Sequence, residues 1–366
     1  MDLKKRIIKN YVNFRGKSLY GRKIVLIESD DWGSIRMPSR AVYNKLVQSG
    51  LQIDNVYFDK YDSLESEDDL TELFDVLTSV KDSNGRNAII APYTLSANPN
   101  YEKIQEYNFE QYFYEPVIET YLRHPHTEHA FPIIKQGIKQ GIWDPQFHGR
   151  EHVNVRRWLK ACQRNNTNTK IAFEEHAFVA MAFPQDLYCF PAFDYDDEKE
   201  FCEIKKIISE GIDLFKQLYN VSPISICPPC GMMNKNVFQI AVDKGIRLLP
   251  GQLFTHKRSG DYKKIDYFWG EKYGDKSIFY RRNCKFEPSN HLNPDPVNSC
   301  LEEIDLAFKW GKPAVIDSHR VNYIGSIFPE NRERSLRLLK TLLVTIVKMW
   351  PDVEFMTCKE IYELYK

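Results

Sequence analysis

Lys23-Ile24-Val25-Leu26-Ile27-Glu28-Ser29-Asp30-Asp31-Trp32-Gly33 begins with an apolar run and ends in two adjacent carboxylates and a glycine. A run without polar alternation suits a strand covered on both faces, as in parallel sheets flanked by helices. Such folds present polar chemistry where the chain leaves the C-terminal ends of the strands. Asp30 and Asp31 fall at such an end. Successive strand residues point to opposite sides, so the two acids need not have the same job. An Asp pair capping the next helix is the plainer reading, and it accounts poorly for two acids followed by Trp-Gly.

The same grammar recurs along the chain. Further strands are expected at 88–91, 143–147, 222–226, 246–249, 277–282, 313–319 and from 353. Helical patterns cover 39–50, 68–80, 131–141, 153–162, 196–219, 298–310 and 331–349. The Tyr-rich stretch 101–122 has little period and reads as a surface excursion. Alternation from end to end, with no composition break or repeat, predicts one α/β catalytic domain over 1–366 with parallel strands.

Three expected strand ends carry polar chemistry: Asp30 and Asp31, His148 and His152, and His319. Two histidines four residues apart can share one face of a helical turn, or of a loop tightening into one, and reach a single metal ion, although a packed pair has the same spacing. One carboxylate with two histidines is a ligand set that leaves positions open for water and substrate. The second Asp is then available as general base and His319 as general acid, the pair that amide or ester hydrolysis requires. Two stretches compete. His124, His126 and His129 form a rival cluster, read as exposed loop histidines, as metal ligands or as cleft lining. Cys227-Pro228-Pro229-Cys230 suits a redox dithiol at a helix N-terminus or half a zinc site, with no second C-x-x-C to complete one.

Composition narrows the functional classes. Fifty basic residues balance fifty acidic ones, so no global field favours nucleic acid. Aromatic residues make up 13%, a richness that suits a ligand cleft lined by rings as well as a core. No run reaches the ~20 apolar residues that span a bilayer. Segment 1–20 is basic and weakly amphipathic over 3–18, which predicts a peripheral helix packed on the domain, with contact to an anionic membrane face as the alternative. Eight scattered cysteines and a start without an apolar leader core point to a reducing, cytoplasmic setting.

The four motifs together resemble those of the polysaccharide deacetylase superfamily. That resemblance implies a distorted (β/α) barrel of about seven parallel strands with a metal site at its mouth. The first motif is similar to Ile27-Glu28-Ser29-Asp30-Asp31, with Trp32 inserted before Gly33. It implies Asp30 as catalytic base and Asp31 as metal ligand. His148-Gly149-Arg150-Glu151-His152 resembles the second motif and implies both histidines as ligands. Cys227-Pro228-Pro229-Cys230-Gly231 resembles the third, where Cys230 and Gly231 would offer the oxyanion-holding backbone. Ile316-Asp317-Ser318-His319 resembles the fifth and implies His319 as the acid. Cys227 stands where the family carries the arginine that holds the base, and Arg150, Arg282 and Arg320 are the candidate replacements, Arg150 foremost. Trp269, with Asp266, is the candidate for the fourth motif, and Trp32 and Trp269 are expected at the substrate. Residues 51–130 read as an insertion over the barrel mouth.

The resemblance implies removal of an acyl group, foremost N-acetyl, from a sugar or glycan precursor. It implies one divalent ion, zinc foremost, with cobalt, nickel and manganese as alternatives. A glycoside hydrolase using Glu28 or Glu151, or an inactive glycan-binding relative, are the other readings.

Overall fold

A computed structural model describes residues 3–164, 166–256 and 262–366. The Lys23–Trp32 strand is central, and every residue after Lys23 is buried. It pairs in parallel with Ala314–His319, and the register sets Asp30 beside His319. Ile90–Leu95 pairs with it in parallel on the other edge, and Val353–Phe355 pairs with its first residues. Gln146–Gly149 follows on Ile90–Leu95, and Cys284–Lys285 pairs with Ala314–His319. All these ladders are parallel, so the strand ends carrying Asp30, His148 and His319 open on one side of the sheet.

Leu248–Pro250, Ser277–Tyr280 and Lys272–Tyr273 form a second sheet. Single bridges, Phe147 to Ile226 and Ser225 to Leu248, connect it to Gln146–Gly149. The architecture is therefore α/β with a six-stranded parallel sheet. The strand expected at 222–226 contributes bridges alone, and the ladders do not run continuously into a closed barrel.

Helices form where caps and apolar period agree. Asp197 caps Glu198–Tyr219, whose Ile204, Ile208, Ile212 and Phe215 are buried at helical spacing. Within it, a Cβ on Gly211 would lie 2.8 Å from Arg150 Cβ and 3.0 Å from Phe147 Cζ. Only glycine lets this helix lie so close behind the strand that carries His148. Ser66 and Asp69 make a capping box for Glu67–Thr78.

The stretch 51–130 is more than an added cover. Its Ile90–Leu95 is an inner strand of the main sheet, because Ile89 to Leu95 are apolar enough to be buried on both faces. The segment expected to be irregular, 101–122, holds helices Tyr101–Glu106 and Val117–Arg123 around the short strand Tyr114–Pro116. Tyr101, Ile104, Val117 and Tyr121 are buried, which stabilises pieces too short to show a period.

Candidate active site

The central strand breaks its register between Ser29 and Trp32, and Asp31 takes φ +76°. A left-handed non-glycine residue at a bulge is uncommon and concentrates at functional sites. The bulge overturns the expectation of opposite facing, since both Asp30 and Asp31 line one cleft of about 630 Å3.

Of the two expected routes, a helical turn or a loop tightening into one, His148 and His152 reach Asp31 by the loop. His148 ends a strand, Gly149 leaves it, and His152 lies in the following loop. A Cβ on Gly149 would stand 3.0 Å from the Glu151 carbonyl, so glycine permits the tight exit. Asp31 Oδ1 lies 3.1 Å from His148 Nε2 and 3.2 Å from His152 Nε2. Asp31, His148 and His152 thus converge as one buried ligand group.

The donor chemistry of this group fits a cation. His148 Nδ1 is 2.8 Å from the Cys227 carbonyl oxygen. A carbonyl only accepts, so Nδ1 carries the proton and Nε2 turns its remaining nitrogen site toward Asp31. That nitrogen facing a carboxylate oxygen asks for a cation, a proton or a metal ion, between them. Burial pushes the His152 imidazole down to about 4 against the pull of Asp31, so it is neutral and ligand-competent near pH 7. Asp31 is held well below the usual carboxylate range: burial opposes this, and Arg36 and the two histidines outweigh it. Arg36 Nη2 lies 3.4 Å from Asp31 Oδ2.

Asp30 lies beside this group, within 4.8 Å of His148 and Cys227 in a second potential ligand set that shares His148, and has a strong partner of its own. Arg282 donates Nη1 to Asp30 Oδ2 and Nη2 to Oδ1, both at 2.7 Å. Burial favours the neutral acid, but Arg282 prevails and lowers the Asp30 pKa to about 2. Arg282 also donates to Glu28 at 2.5 Å and to Asp317 at 2.8 Å. The Cys227 thiol donates to Asp30 at 3.3 Å. His319 Nε2 lies 3.9 Å from Asp30 Oδ2, while its Nδ1 meets Glu287 Oε1 at 2.5 Å. Burial disfavours the imidazolium, yet Glu287 and Asp30 raise His319 to about 10. A protonated imidazole therefore stands beside an ionised carboxylate.

Several expected residues lie elsewhere. Arg150 donates Nε and Nη2 to Glu151 and Nη1 to Glu210, outside the cleft lining. Chain proximity to His148 places it behind the strand, against Gly211. Arg320 pairs with Asp62 and Glu65 in the interior. Arg282 therefore is the arginine that holds Asp30. Trp32 is fully buried between Trp143 and Tyr323, donating Nε1 to Ser29 Oγ. Trp269 is buried against Tyr280 and Tyr365. Neither tryptophan meets the cleft, because both are absorbed by core packing; Asp266 is held by Arg281. Phe58, Tyr188, Phe190, Phe254 and Tyr280 supply its rings instead. Cys230 and Gly231 do line it, with successive φ of +57° and +66°. Burial pushes the Cys230 thiol up to about 11 and holds the Cys227 thiol well above its ordinary value, the reverse of an activated dithiol. His124, His126 and His129 belong to no metal-competent group among the described residues.

Arg36 and Glu287 escaped sequence reasoning. Neither sits in a motif, and only the folded chain brings them to Asp31 and His319. Phe58 and Asp59, from helix Tyr57–Tyr61, bring the 51–130 stretch to the cleft wall, and Phe58 packs edge-on against His319 at 5.1 Å.

No family model matches the sequence, and no curated protein does. Among solved structures the chain is similar to a 4-alpha-glucanotransferase from Thermococcus litoralis (9% identity, TM-score 0.44), covering 94% of this chain but 40% of that one. It is similar to an allantoinase (10% identity, TM-score 0.45, 96% of this chain and 91% of that one). It is also similar to a probable polysaccharide deacetylase from Pseudomonas aeruginosa PAO1 (9% identity, TM-score 0.47, 93% and 89%).

Proposed function

We propose that this chain is a divergent polysaccharide-deacetylase-type hydrolase that removes an acyl group, foremost N-acetyl, from a sugar or glycan precursor. The observation that carries the reading is the convergence of Asp31, His148 and His152 next to an ionised Asp30 and a charged His319. Asp31, His148 and His152 would hold one divalent ion, zinc suiting a two-histidine, one-carboxylate set. Such an ion supplies positive charge to the acyl oxygen and acidity to water. Asp30, kept charged by Arg282, takes the proton from the attacking water. The backbone amide at Cys230 offers a donor for the developing oxyanion. His319, oriented by Glu287, gives its proton to the leaving amine. Asp30 and His319 then return to their starting charges by exchanging protons with solvent.

The competing readings lose support. Glu28, required for a glycoside hydrolase, is fully buried and bound by Tyr280, Tyr93 and Arg282. Glu151 is spent on Arg150. The missing third-motif arginine, which favoured an inactive relative, has a spatial replacement in Arg282. All eight cysteines are unpaired, which supports a reducing, cytoplasmic setting.

Acetate release from a panel of N-acetylated sugars and nucleotide sugars tests this reading. Wild type should release acetate, and Asp30→Asn should lose about 10²-fold or more while staying folded. Turnover that survives Asp30→Asn unchanged would remove the mechanism.

A further inference from the structure

The N-terminal helix Leu3–Phe14 is mounted with its polar side inward. Lys5 Nζ donates to Ser299 Oγ at 2.9 Å and pairs with Glu303 at 2.9 Å. Lys9 Nζ donates to the Asn283 carbonyl at 2.7 Å and pairs with Glu303 at 3.1 Å. Asn13 accepts from Asn283, and Asn10 accepts from Trp310 Nε1. Val12 is the one apolar residue that this helix buries.

Its remaining apolar side chains face outward. Leu3 is 75% exposed, Ile7 61%, Ile8 51%, Tyr11 51% and Phe14 62%. Positions 3, 7, 11 and 14 follow the helical repeat and form one stripe, the reverse of a helix that packs its apolar side on a core. Edge contacts of Tyr11 with Phe268 and Phe14 with Trp310 leave both rings at the surface. Tyr20, exposed and lying against Gly311 next to Trp310, extends the same face. Every charge on the helix is positive. Lys5 and Lys9 are matched by Glu303, whereas Lys4 and Arg6 are exposed beside the stripe, with Arg15 just beyond it. In a chain of zero net charge this is a local concentration of one sign.

We propose that this face docks on an anionic lipid bilayer, its apolar stripe at the headgroup boundary and Lys4, Arg6 and Arg15 against lipid phosphates. Apolar and aromatic side chains in one stripe, with Lys4 and Arg6 exposed beside it, are complementary to that surface. No helix among the described residues is long and apolar enough to cross a membrane. The same helix lends Lys9 to the cleft wall, which ties the docked element to the site.

Co-sedimentation of the full chain with phosphatidylcholine vesicles, with and without phosphatidylglycerol, tests the proposal. Binding should require the anionic lipid and fall as salt rises. Ile7→Ser/Ile8→Ser should weaken partitioning roughly tenfold with an unchanged Tm, since both positions are exposed. Lys4→Glu/Arg6→Glu should weaken it as well. Equal sedimentation with neutral and anionic vesicles, or variants that bind like wild type, would overturn it. So would a dimeric mass in solution that Ile7→Ser/Ile8→Ser returns to monomer, because a second copy would then cover the face.

Discussion

Arg282 is surrounded by Glu28, Asp30 and Asp317, and this grouping determines what Asp30 is able to do. Removing the guanidinium leaves Asp30 buried without its main counter-charge. Arg282→Gln should raise the acid limb of kcat/KM from near pH 2 toward or above the ordinary carboxylate range and lower activity about 10²-fold. A pH–rate profile checks this, with an unshifted acid limb as the opposing result. His319 is the mirror case. Its folded pKa, about 10, exceeds the ordinary 6.5, so the stability it contributes is complete below pH 6.5 and fades as pH rises through about 10. Glu287→Gln removes the anion responsible, and the basic limb of activity should move down toward neutrality. The His148 and His152 pair was legible from type and spacing as able to share a metal ion, whereas the choice of Asp31 over Asp30 came from the family resemblance. The bulge that turns Asp30 and Asp31 into one cleft was not legible, because neighbouring strands impose it.

Elements explain why Arg150 misled. It stands between the two histidines in the chain, yet Gly211 of the Glu198–Tyr219 helix packs on its back, and its guanidinium serves Glu151 and Glu210. Arg150→Ala should cost about 3 kcal/mol of stability by leaving Glu151 buried and unpaired. Below the resulting lower Tm, kcat/KM should be close to wild type; a large loss of activity in folded protein would return Arg150 to the site. Gly211→Ala should cost about 1–3 kcal/mol, because the added methyl meets Arg150 and Phe147. Thermal melts measure both. The long helices were readable from caps and apolar period, as Asp197 and the Ile204–Phe215 series show. Tyr101–Glu106 and Val117–Arg123 were not, since pieces of one or two turns depend on burial rather than on local pattern.

At the scale of the molecule, a parallel sheet gathers residues far apart in the chain. Asp30 and His319 are neighbours in register across two adjacent strands, and His148 arrives two strands away. An apolar run ending in acids or histidines made this α/β layout legible. The single-bridge links through Ser225 and Ile226 were not, because a short apolar run reads alike whether or not its ladder extends. The central claim is that Asp31, His148 and His152 form one metal site. Metal content per chain, measured by mass spectrometry on purified wild type, Asp31→Ala and His148→Ala, tests it most directly. Wild type should hold about one divalent ion per chain, and each variant should lose it while remaining folded. A metal-free wild type, or an ion retained through both substitutions, would contradict the account.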